Sequence, residues 1–89
     1  MSRMFVVSFN STHHAMRSEK LLEKDFSIMV MPTPREISAS CGISLRVNED
    51  DIEAITEVLK KNDVDYGGVY CIIKSDDGLR KAEKILGGN

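Results

Sequence analysis

Apolar and polar residues alternate over residues 4–9. Phe5, Val7 and Phe9 fall on one side and Met4, Val6 and Ser8 on the other, a period-two pattern rich in β-branched and aromatic residues that predicts a strand. Asn10-Ser11-Thr12 then offers helix-capping side chains. Ala15, Ser18, Leu21 and Leu22 follow at helical spacing, with Arg17, Glu19, Lys20, Glu23 and Lys24 on the outer arc, which predicts an amphipathic helix over 12–24. Alternation returns over 26–31 and is stopped by Pro32-Thr33-Pro34, so a second strand is expected to end at Met31. Ile43, Leu45 and Val47 alternate with Ser44 and Arg46 as a third strand. Asn48 or Glu49 opens a second helix, where Ile52, Ile55, Val58 and Leu59 repeat every three to four residues. Its acids at 49, 50, 51 and 53 and its lysines at 60 and 61 complement the helix dipole. A fourth strand is predicted over 64–73, with a flexible or bulged start at Gly67-Gly68. After Ser75-Asp76-Asp77-Gly78, the spacing of Leu79, Ala82, Ile85 and Leu86 predicts a short C-terminal helix.

The predicted order is β-α-β-β-α-β plus a tail, which points to an α+β fold: the ferredoxin-like two-layer sandwich with a four-stranded antiparallel sheet. One domain spans 1–89, with its core over 4–73 and its tail over 74–89. At 89 residues the chain buries only about 60–65% of the surface its unfolded form exposes, so an exposed or partner-completed site is expected rather than a deep cleft. A net charge of −2 argues against a sequence-independent nucleic-acid binder. The longest apolar runs, 4–7 and 28–31, are far too short to cross a membrane, and the N-terminus has no room for a signal-peptide core. The expected location is therefore cytoplasmic, where Cys41 and Cys71 remain free thiols. Met4, Met29 and Met31 with Val6, Tyr70 and Ile72 are expected on the second sheet face, covered by the tail or by a second copy in a homodimer.

The connection over 32–42 is long for two neighbouring strands, and loops of this length tend to be functional. A right-handed crossover brings it beside the start of the first helix, near Ser11, Thr12, His13 and His14. Unpaired N–H groups and the positive end of the helix dipole there favour an anion. Cys41 as a thiolate would be such an anion, with Arg35 and the two histidines as further perturbers. Ser38 and Ser40 offer hydroxyl donors, and Gly42 permits close backbone approach. The alternative for Cys41 is a small buried filler at a strand entrance. Cys71, between Tyr70 and Ile72, reads as structural with a raised pKa. Adjacent His13 and His14 diverge by about 100° on a helix and cannot readily share an ion, so no metal site is expected. Arg35-Glu36 reads either as a local loop ion pair or as an anchor for an anionic substrate or acidic partner.

The strings Ser11-Thr12-His13-His14-Ala15, Glu19-Lys20 and Leu22, Pro32-Thr33-Pro34-Arg35-Glu36-Ile37-Ser38 and Ser40-Cys41-Gly42 resemble the selenium/sulfur carrier-like family over about residues 4–73. The resemblance implies a carrier rather than a free-standing enzyme, without a dissociable cofactor. Cys41 would hold a persulfide or perselenide between a protein donor and a protein acceptor. Two other functions compete: a regulatory or interaction module, since this fold serves many roles, and a thiol redox sensor acting through a Cys41 sulfenic acid or mixed disulfide.

Overall fold

A computed structural model describes residues 2–37 and 42–87. Strand β1 (Ser2–Ser8) leads to helix α1 (Thr12–Leu22), strands β2 (Met29–Pro32) and β3 (Ile43–Val47), a 3-10 turn (Glu49–Asp51), helix α2 (Ile52–Lys61) and strands β4 (Gly68–Lys74) and β5 (Arg80–Gly87). The fold is α+β, and its five strands form one antiparallel sheet in the order β2-β3-β1-β4-β5. The two-fold alternation of β1 sends Val7 and Phe9 toward the helices. There they join Leu45, Val47 and Val69 from the sheet and Ala15, Leu22, Ile52, Ile55 and Leu59 from the helices in one core.

The tail corrects two expectations. Residues 80–87 form a fifth strand on the free edge of β4, not a helix, and they widen the sheet instead of covering its open face. The cause is local. Gly78 adopts φ +88°, and the Asp77 carboxylate accepts hydrogen bonds from the Ser75 hydroxyl and the Leu79 N–H. Ser75-Asp76-Asp77-Gly78 is thus a hairpin turn rather than a helix cap, and these two bonds hold the Asp77 carboxyl below the usual carboxylate range. The apparent helical spacing of Leu79, Ile85 and Leu86 leaves all three exposed, Leu79 at 69%. The other differences are shifts of boundary. β2 starts at Met29 because Phe26 and Ile28 pack against the core, and it includes Pro32, a residue an edge strand tolerates because its missing N–H leaves no inner ladder bond unmade.

The helix-free face is the sheet's second surface. By register it presents Met4, Val6 and Ser8 of β1, Met29 and Met31 of β2, Ser44 and Arg46 of β3, Tyr70 and Ile72 of β4, and Ala82 of β5. Val6 and Ile72 are buried on it, whereas Met29 at the edge is 61% exposed. Across this face the Glu36 carboxylate, from the β2-β3 loop, meets Arg80 Nε on β5 at 3.0 Å. Glu36 therefore reaches over the helix-free side of the sheet.

Candidate functional site

The candidate site is the end of the sheet where β1 gives way to α1. Ser11 is the N-cap, extended at φ −143° and ψ 150°, and its Oγ accepts the His14 N–H at 3.2 Å. The first turn of α1 contains no acidic residue, in contrast to the acids that open the second helical segment, so its positive end is not compensated from within the helix. Ser11, Thr12 and His13 are exposed and His14 is half-buried.

The two histidines face different surroundings. Their rings lie 5.7 Å apart at 71°. His13 lines a shallow outer depression with Met16, Arg17 and Lys20. His14 turns inward, and among the described residues its Nδ1 is buried without a hydrogen-bond partner, an unusual state for a buried polar atom. No three His, Cys, Asp or Glu side chains gather to hold a metal among the described residues.

The base of the β2-β3 loop lies at this same end. The Thr33 N–H donates to the Gly42 carbonyl at 2.9 Å, and the Thr33 and Ser44 hydroxyls share a hydrogen bond of 2.7 Å. A side chain at Gly42 would begin 3.2 Å from Thr33 Oγ1 and 3.9 Å from the Phe9 carbonyl oxygen, so glycine there lets Thr33 close the loop beside the chain that leads into α1. Ser38, Ser40 and Cys41 lie outside the described residues. Arg35 is exposed in a turn closed by Ile37 N–H donating to the Pro34 carbonyl at 3.0 Å. Its expected local pairing with Glu36 is replaced by the Glu36–Arg80 contact.

Sequence reasoning missed three positions here. Ser44 was placed on a polar side but is fully buried as the partner of Thr33; a hydroxyl residue between two prolines, facing a serine on the next strand, was the available signal. Gly67 is the third: its N–H donates to the Ser8 carbonyl at 2.7 Å, and a Cβ there would lie 2.9 Å from Ser8 Oγ. It is a site of close packing rather than of flexibility. Gly67→Ala is expected to cost about 1–3 kcal/mol, seen as a lower urea midpoint at unchanged denaturant slope. Cys71 is a buried free thiol whose pKa is raised, mainly by burial.

The fold and this site define a small α+β domain that carries a pinned loop beside an uncompensated helix start. The family described as "Putative Se/S carrier protein-like" matches residues 4–71, and the chain belongs to it. No curated protein and no solved structure matches the chain. Among the described residues, no helix is long and apolar enough to cross a membrane.

Proposed function

We propose that this protein is a selenium/sulfur carrier whose Cys41 thiolate, presented by the β2-β3 loop, holds a persulfide or perselenide for transfer between cytoplasmic partner proteins. The observation that carries the proposal is the family's match over a chain whose Cys41-bearing loop is closed, at Thr33 and Gly42, beside the acid-free start of α1. The sheet behind the loop is the split β-α-β-β-α-β sandwich of the ferredoxin-like class with one strand added at its edge.

In this reaction the Cys41 thiolate attacks the terminal sulfur of a donor persulfide. A new S–S bond forms at Cys41 as the donor's S–S bond breaks, and the donor leaves as its thiolate. The acceptor thiolate repeats the exchange in the other direction, so sulfur moves with no net oxidation or reduction. A perselenide follows the same balance. The carrier needs a low-pKa nucleophile and donors around the loaded chalcogen. Ser11, Thr12 and the start of α1 supply fixed positive potential, Ser38 and Ser40 supply hydroxyls, and the unpartnered His14 Nδ1 supplies a polar atom that a bound anion can satisfy.

The test is peptide mass spectrometry of reduced protein exposed to a low-molecular-weight persulfide or perselenide, from which the outer chalcogen passes to the Cys41 thiolate as the donor leaves as its thiolate. A reducible increment of one sulfur or selenium is expected on Cys41, absent in Cys41→Ser and retained in Cys71→Ser. No increment, or one that maps to Cys71, overturns the proposal.

A further inference from the structure

The helix-free face carries a charge pattern opposite to that of the whole chain. By register, its strands contribute Arg46, Lys74, Arg80 and Lys84 and no acidic residue, although the chain carries a net charge of −2. Four cations on one face of a net-negative protein leave the remainder with a net charge of −6. Arg3, Arg46, Lys74 and Arg80 surround a shallow depression of about 300 Å³ floored by Met4 and Ile72. Arg3 is shared with the other face, where it lies 5.8 Å over the Phe5 ring and 3.9 Å from Glu49. Arg46 and Lys74 are exposed and have no acidic partner among the described residues.

The occupant is indicated by what already lies at the rim. Among the described residues, the carboxylate that meets a strand cation of this face is that of Glu36, which leaves its loop to meet Arg80 at 3.0 Å with its side chain three-quarters covered, while Glu49 approaches only Arg3, at 3.9 Å. One cation of the rim, Arg80, thus meets a carboxylate of its own chain, and Arg46 and Lys74 have no acidic partner among the described residues. We propose that this face docks an acidic segment of a partner protein, with its carboxylates on Arg46 and Lys74, an apolar side chain on the half-buried Met4 above the buried Ile72, and one carboxylate that competes with Glu36 for Arg80. A second copy of the chain fits poorly, because two such faces would oppose like charges. The residues that would receive the partner, Met4, Arg46, Lys74 and Arg80, all lie on strands, and only the competing Glu36 belongs to the loop that bears Cys41.

The probe is a short synthetic peptide of glutamate and leucine, titrated into full-length ¹⁵N-labelled protein at low ionic strength. Amide shifts are expected to cluster at Met4, Arg46, Ile72 and Lys74 and to weaken with added salt. Arg46→Glu and Lys74→Glu, both at exposed positions and checked for folding by circular dichroism, should each reduce affinity by at least about tenfold. Glu36→Gln should tighten binding about two- to fivefold, the worth of releasing Arg80 from one partly exposed ion pair. Absence of binding, insensitivity to both charge reversals, or weaker binding by Glu36→Gln overturns the proposal. So does tighter binding of a single-stranded RNA oligonucleotide, or a dimer that buries this face in sedimentation. Loading of Cys41 can succeed or fail independently of every one of these results.

Discussion

In the reduced protein at neutral pH, iodoacetamide will modify Cys41 and leave Cys71 essentially untouched, with rates separated by on the order of a hundredfold or more. Cys71 lies on β4, an inner strand paired on both sides, facing Phe5 on β1 and Glu83 on β5, so reagent reaches it only when the sheet opens. Burial also raises its pKa, and thiolate is scarce until the pH exceeds the ordinary thiol range. The stability linkage has a definite sign. A folded-state pKa above the unfolded value means that the neutral buried thiol favours folding below the ordinary thiol pKa, and this contribution fades as pH climbs through the raised value. Cys41, if it carries the chalcogen, must behave in the opposite way, with a midpoint below about 8.5. Thr12→Asp puts a negative charge into the acid-free first turn of α1 and should move that midpoint up by on the order of half a pH unit. Equal reactivity of the two cysteines, or a Cys41 midpoint at or above the ordinary value, would remove the electrostatic basis of the carrier.

The proposed carrier site depends on features that were unequally visible in the chain. Both helices and the inward face of β1 were legible because Val7, Phe9, Ala15, Leu22, Ile55 and Leu59 keep their period over several turns or pleats, and all are buried. The position of the loop base followed from handedness: a right-handed crossover returns β2 to the end where α1 starts, and Thr33, Gly42 and Phe9 meet there. The fifth strand was illegible for a physical reason. An edge strand open to water on both faces has no buried side to impose a two-residue period, so Leu79, Ala82, Ile85 and Leu86 fitted a helix equally well, and the decisive signal was the turn before them. The Glu36–Arg80 contact links residues 44 positions apart, and no local pattern encodes such a pair. The helix-free face was recognised from its apolar members, Val6, Tyr70 and Ile72. Its cations come from three different strands and acquire a common meaning only once the register is known.

Leu45→Ala will produce a large loss of stability, about 2–5 kcal/mol. Leu45 is fully buried in β3, opposite Val7 on β1 and Val30 on β2, and belongs to the core that the helices share with the sheet. Truncation removes its transfer free energy and opens a cavity between layers that cannot close without moving a paired strand. Small domains hold roughly 0.05–0.15 kcal/mol per residue in total, so a loss of this size takes a major share of the stability of an 89-residue chain. The site is coupled to the same strand. Gly42 and Ser44, which clasp Thr33 at the loop base, lie within three residues of Leu45, so loosening β3 should free that clasp before the helices separate. Hydrogen exchange at the Thr33 amide should therefore accelerate at denaturant concentrations too low to change the helical signal. An urea midpoint close to that of the parent, or Thr33 exchange that rises only with global unfolding, would show that the loop is held independently of the core beneath it.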